Sequence, residues 1–146
     1  MVASAYQQRT RGREPFSLVV SGEAESWLPS LRKIVGPQYL RAYHVDSDGQ
    51  LLQVVGAGLA DAAVLDEAAG WSVDVIHLLR MVRRVNALLP VVVVTSRSDR
   101  RLLEEALRLA AFSVVTRPLA LEELLRQIHR MMLRLDQMFR QGGPEP

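Results

Sequence analysis

The sequence predicts a three-layer α/β domain, a doubly wound parallel sheet with helices on both faces. Three observations carry this expectation. Short β-branched runs recur along the chain, segments of helical period separate them, and Val91 to Val94 is apolar throughout. Alternation of strands and helices is the pattern of βα units, and an unbroken apolar run suits a strand buried on both faces.

The first strand is expected over Phe16 to Val20, followed by a helix over 24–35 with the apolar stripe Trp27, Leu28, Leu31, Ile34 and Val35. Gly36-Pro37 stops it. The second strand reads as Tyr39 to Val45, after which Ser47-Asp48-Gly49 caps a short helix over 50–55 that Gly56-Ala57-Gly58 closes. Ala62 to Leu65 is the third strand, ending at Asp66. A helix over 73–89 should turn Val75, Leu78, Leu79, Val82, Val85 and Leu89 inward and Arg80, Arg83 and Arg84 outward, until Pro90 ends it. Val91 to Val94 is the fourth strand. Thr95-Ser96 leads through Asp99 to a helix over 100–111, Ser113 to Thr116 is the fifth strand, and a last helix covers 121–139.

With 146 residues, 49% hydrophobic and 23% charged, the chain has room for one ordinary domain. No cysteine is present, which excludes disulfides, a thiol nucleophile and Cys-built zinc sites. His44, His77 and His129 are scattered along the chain, which argues against a His-built metal site, and His44 and His77 read as structural. No apolar run approaches a membrane span, and the polar, Arg-bearing start lacks a signal-peptide core, so a cytoplasmic protein without membrane contact is expected. The pI near 9.5 overstates a formal charge of +2, because Lys33 is the lone lysine among 18 basic residues and arginine stays protonated far above neutrality. Acidic and basic residues are interspersed, as in Arg100, Arg101, Glu104, Glu105 and in Glu122, Glu123, Arg126. That is the texture of solvated helix faces, so no nucleic-acid partner is expected.

In an open parallel sheet, ligands gather at the carboxyl ends of the strands. The residues there are Ser21-Gly22-Glu23, Asp66-Glu67, Thr95-Ser96 and Thr116-Arg117-Pro118. A nucleotide-binding enzyme of this architecture would need a Gly-rich phosphate loop after the first strand, and Ser21-Gly22-Glu23-Ala24-Glu25 carries one Gly and two acids.

Leu18-Val19-Val20, Asp48-Gly49-Gln50-Leu51-Leu52, Ala60 to Asp66, Pro90 to Ser96, Thr116 to Leu119 and Leu121 to Leu125 follow one another in order, with Asp66, Thr95 and Arg117 spaced along them. On these segments the sequence resembles, over residues 16 to 133, the receiver domain of two-component response regulators. The resemblance implies a flavodoxin-like (βα)5 fold with strand order 2-1-3-4-5. It also implies a signalling module rather than an enzyme, in which Asp66 is the phosphoacceptor candidate and Thr95 and Arg117 are the phosphate-binding candidates.

The family places an acidic pair for Mg²⁺ after the first strand, where this chain has Ser21-Gly22, and a Lys where it has Arg117. Mg²⁺ would retain Asp66 and a carbonyl near Ala68, with Glu23 or Glu67 as substitutes. Arg117 keeps the positive charge, either for a phosphoryl group or as a partner that locks Asp66. Val114 stands where the family often has an aromatic switch residue, and Glu67-Ala68-Ala69-Gly70-Trp71 lacks the usual Pro-Gly. Trp71 is a candidate either for a partner anchor or for packing on the next helix.

The expectation is therefore a degenerate, or pseudo-receiver, member that acts by protein–protein contact with weakened or lost phosphorylation. The alternative is a conventional response regulator receiver, phosphorylated on Asp66 by a histidine kinase. Residues 1–14 read as a disordered leader, 15–133 as the receiver-like domain and 134–146 as a helix extension with a flexible tail. The last helix continues its apolar stripe through Met132, Leu135, Met138 and Phe139, which are candidate contacts for a homodimer or a partner. Arg126, Arg130 and Arg134 form a basic stripe on the same helix.

Overall fold

The computed structural model describes residues 15–97, 99–117 and 121–141, with the side chains of 137–141 not described. The leader, the tail after residue 141, and Met138 and Phe139 as contact residues therefore lie outside what is described.

Five parallel strands, β1 (Phe16–Val20), β2 (Leu40–His44), β3 (Ala62–Asp66), β4 (Val91–Thr95) and β5 (Ser113–Thr116), form one sheet in the order β2-β1-β3-β4-β5. The α-helices among the described residues are α1 (Leu28–Val35), α2 (Asp48–Gly56), α3 (Val75–Val85), α4 (Arg100–Arg108) and α5 (Leu121–Gln141). This is the flavodoxin-like arrangement with order 2-1-3-4-5.

Alternation of side chains along each strand divides the core in two. Phe16, Leu18, Val20, Val64, Val92, Val94 and Val115 face α1 and α5, meeting Trp27, Leu31, Leu124, Ile128 and Met131. Val19, Leu65, Val91 and Val93 face α2, α3 and α4, meeting Leu51, Val55, Leu79, Val82 and Leu102. β1, β3 and β4 are buried at every position, as the apolar runs required, whereas the edge strands β2 and β5 are partly exposed.

Several boundaries differ from the sequence reading. The first helical segment splits into a 3₁₀ turn at Ala24–Ser26 and α1 proper, with Pro29 in the first turn of α1, where its missing N–H costs no hydrogen bond. Ile34, expected on the apolar stripe, is 43% exposed. Ser47 caps α2 as expected, its side chain accepting from the Gln50 N–H, although the helix starts at Asp48. α3 ends at Val85 instead of continuing to Leu89, so Val85 is 46% exposed.

Arg83, expected to point outward, folds back over this helix end. Its Nε donates to the Leu109 carbonyl at 2.7 Å, Nη1 to Leu89 at 2.7 Å and Nη2 to Ala110 at 3.1 Å. Burial lowers its pKa below the ordinary arginine value.

α4 stops at Arg108 in a Schellman motif, with Ala111 N–H bonded to the Ala106 carbonyl and Ala110 N–H to Leu107. Ala110 takes the left-handed position of that motif with φ 62°, where glycine is the usual occupant. Because Ala110 is exposed, its methyl group contributes little packing to offset the strain. Ala110→Gly is expected to stabilise the fold by about 0.5–1 kcal/mol, read as a higher urea midpoint. A lower midpoint would show that the methyl group outweighs the strain.

The apolar stripe of α5 is used internally further along than expected. Met132 is 1% exposed in the core beside α1, and Leu135 packs on the same cluster. Met132 is thus unavailable as a dimer or partner contact and Leu135 only partly available, because the helix lies close against the sheet through these turns. On these helix faces Arg100 pairs with Glu104 and Arg101 with Glu105 at i,i+4, while Arg126 pairs with Glu123 at i,i+3, each worth little in water. Among the described residues, no helix is long and apolar enough to cross a membrane.

Candidate functional site

Parallel strands bring their carboxyl ends to one edge, and the register places Asp66 beside Val94 and Thr95 beside Thr116. Asp66 is the last residue of β3, Thr95 the last of β4, and Ser21 and Arg117 directly follow β1 and β5. Four segments far apart in sequence therefore meet at Asp66.

Asp66 is 4% exposed, and its backbone and side chain are both engaged. Its N–H donates to Ser21 Oγ at 3.2 Å, and that hydroxyl donates to the Val64 carbonyl at 3.2 Å, so Ser21 ties the end of β1 to β3. Its carbonyl accepts from Trp71 Nε1 at 2.8 Å. Oδ1 accepts the Ala68 N–H at 3.0 Å, while Oδ2 is paired with Nη2 of Arg117. Arg117 is anchored in turn, its N–H donating to the Thr95 carbonyl at 2.7 Å. Its Nε is buried without a hydrogen-bond partner among the described residues. Gly22, at φ 64°, passes so close that a Cβ there would lie 2.7 Å from Asp66 Oδ2.

A second ion pair lies beside the first. Glu67 accepts the Thr95 hydroxyl at 2.5 Å and the Ser96 N–H at 3.3 Å on Oε1, and meets Arg97 Nε at 2.9 Å on Oε2. Arg97 N–H donates to Thr95 Oγ1 at 3.1 Å, and Nη2 reaches Asp74 at 3.3 Å. Asp66 and Glu67 thus turn to separate arginines.

The sequence-predicted residues Asp66, Thr95, Arg117 and Glu67 are brought together, but not around one vacant centre. Thr95 donates to Glu67, and Glu23 is an exposed residue at the start of the 3₁₀ turn. Arg97 was not singled out from sequence, although an acid after β3 facing a base after the neighbouring β4 was a readable signal. Trp71 packs on the core and binds the Asp66 carbonyl, closer to the packing reading than to the anchor reading. Val114 packs on the core beneath α4.

Mg²⁺ demands oxygen ligands in near-octahedral geometry. Ser21 and Gly22 supply no carboxylate, Arg117 occupies Asp66 Oδ2, and Glu67 is committed to Thr95, Ser96 and Arg97. Among the described residues, no group of three or more His, Cys, Asp or Glu is placed to hold a metal. These residues do not fit Mg²⁺. His44, His77 and His129 lie on β2, α3 and α5, and burial lowers the His129 pKa from 6.5.

No family model matches the sequence, and no curated protein is significantly similar to it. Solved structures do match. A CheY-like response regulator receiver domain protein from Methanospirillum hungatei superposes with TM-score 0.69 at 14% identity, over 84% of this chain and 98% of that one. The receiver domain of the TMAO respiratory system response regulator TorR gives 0.66 at 22% identity, over 82% and 98%. A two-component response regulator from Clostridium difficile gives 0.64 at 18% identity, over 82% and 96%. The fold is that of a response-regulator receiver domain. On this receiver fold, the site at the carboxyl ends of the strands is filled by two internal ion pairs, Asp66 with Arg117 and Glu67 with Arg97.

Proposed function

We propose that this chain is a receiver-fold signalling module that communicates by protein–protein contact, with Asp66 held by Arg117 rather than serving as a metal-dependent phosphoacceptor. The observation that carries the reading is the pairing of Arg117 with Asp66 Oδ2 at a residue only 4% exposed. Phosphoryl transfer to a carboxylate needs an accessible oxygen for in-line attack and cations free to neutralise the charge on the transferring group. Here Oδ1 holds the Ala68 N–H, Oδ2 holds Arg117, and the nearby Arg97 is neutralised by Glu67 and Asp74. The Thr95 hydroxyl, which the receiver resemblance assigns to a phosphoryl oxygen, is donated to Glu67 instead. Likeness to receiver domains of response regulators supports a place in signal transduction, and the two ion pairs tie the end of β3 to the segments that follow β4 and β5.

The test is incubation of the full chain with Mg²⁺ and acetyl phosphate, and separately with beryllofluoride. Trp71, bonded to the Asp66 carbonyl, is a local fluorescence reporter, with Trp27→Phe removing the other tryptophan. The expected result is no change in Trp71 emission and no phosphoryl mass gain. A mass gain that Asp66→Asn abolishes would overturn the reading in favour of the conventional phosphoaccepting receiver.

A further inference from the structure

At the opposite edge of the sheet, the amino ends of β4 and β5 are reached by two loops, residues 86–90 and 109–112. Arg83 fastens both, donating to the carbonyls of Asn86 and Leu89 in one and of Leu109 and Ala110 in the other. The two loops and the flank of α5 enclose a groove of about 300 Å³, lined by Leu88, Phe112 and Leu135 among others. Past Phe112 and Arg134 it continues into a more open recess of about 370 Å³ beside Leu133 and Arg130. Leu88 is 89% exposed, the largest exposure of any bulky apolar side chain among the described residues.

Among the described residues, the charged side chains that line this groove and recess are all basic. Arg130 and Arg134, one helical turn apart and exposed, have no carboxylate partner among the described residues, whereas Arg126 on the same stripe is paired with Glu123. Arg83 adds a third positive charge whose bonds all go to carbonyls. An apolar trough with unpaired cations along one rim fits a segment carrying apolar anchors and carboxylates.

Other occupants meet this rim less well. The leader carries Arg9, Arg11 and Arg13 against Glu14 alone. Residues 142–146, Gly-Gly-Pro-Glu-Pro, carry one acidic side chain, Glu145, and no bulky apolar side chain. A second copy joined about a two-fold axis would set Arg130 and Arg134 against the same arginines.

We propose that this groove is a docking site for an acidic amphipathic segment of a different protein, anchored by apolar side chains against Leu88 and Phe112 and held by carboxylates on Arg130 and Arg134. The Arg83 bonds hold both loop walls in place beforehand, so docking orders little of this chain. The proposal is independent of the state of Asp66, which lies at the other edge of the sheet.

The test uses the full chain and a labelled helical peptide with Leu at positions i, i+3, i+4 and i+7 and Glu elsewhere, beside the same peptide with Lys for Glu. The Glu peptide is expected to bind more tightly as salt falls, to shift the amide resonances of Leu88, Phe112 and Leu135, and to weaken about tenfold in R130E/R134E. Both arginines are exposed, so folding should persist, and R130Q/R134Q gives the same reading if charge reversal disturbs it. Equal binding of the Lys peptide, resonance shifts confined to another face, affinity unchanged in R130E/R134E, or no binding at about 1 mM peptide would each overturn the proposal. So would a self-association that Leu88→Asp abolishes, which would assign the groove to a second copy.

Discussion

Arg117→Ala is expected to cost about 3 kcal/mol of folding stability at neutral pH. The substitution leaves the Asp66 carboxylate, whose side chain is 6% exposed, without the cation that compensates its burial. Breaking one side of a buried pair costs more than the pair itself contributes, because the remaining charge is desolvated and unpaired. Arg117 is 23% exposed, so water reaches its side of the contact and the loss belongs at the lower end of the usual range. Removing both charges with Asp66→Asn and Arg117→Met should recover most of the loss, since no buried charge is then left alone. Urea denaturation of the two single variants and the double variant gives the coupling. A double variant no more stable than Arg117→Ala would show that the arginine acts through packing instead of through its charge. Arg117→Lys should fall between, keeping a charge but not the planar fork that reaches Oδ2.

Gly22→Ala is expected to cost about 2–3 kcal/mol, from two causes that can be separated. At φ 64° an L-residue is strained by about 1 kcal/mol. The added Cβ would also lie 2.7 Å from Oδ2, 3.0 Å from Cγ and 3.1 Å from Cβ of Asp66, so that side chain must leave its place beside Arg117. Gly22→Ala in an Asp66→Ala background loses the contacts with Oδ2 and Cγ and keeps the one with Cβ, so the cost there should shrink toward the backbone strain plus that single contact. An equal cost in both backgrounds would show that the carboxylate contributes nothing to the effect. The same geometry means that restoring an acid by Gly22→Asp should destabilise the chain before it creates any Mg²⁺ site.

The sheet was legible because its signal is local and redundant. Val91 to Val94 is apolar at every position and buried at every position, and the helical periods of α3 and α5 place Leu78, Leu79, Leu124 and Ile128 in the core as read. The helix ends were less legible. Val85 and Leu89 fit the period of α3, but Arg83 reaches back to carbonyls at 86 and 89, and the helix gives way to a turn that period alone does not reveal. α4 was read three residues too long, because Ala110 in a left-handed cap looks like one more helix former. The surplus apolar stripe of α5 was read as an outward contact, although Met132 finds cover against α1 and the sheet.

At the site, the sequence by itself determined which residues would meet. Asp66, Thr95 and Arg117 end or follow strands of a parallel sheet, and that topology gathers strand ends at one edge whatever the side chains do. It also determined that Ser21 and Gly22 bring no carboxylate. Only the tertiary structure decided the pairing. Whether Arg117 faces a ligand or Asp66, and whether Glu67 turns toward a cation site or toward Thr95 and Arg97, depends on distances of a few ångströms between segments that approach each other only in the folded chain. Sequence order carries no such distance. Charges at these positions are a matter of composition, but their compensation is a matter of geometry, because Coulomb energy depends on separation and burial.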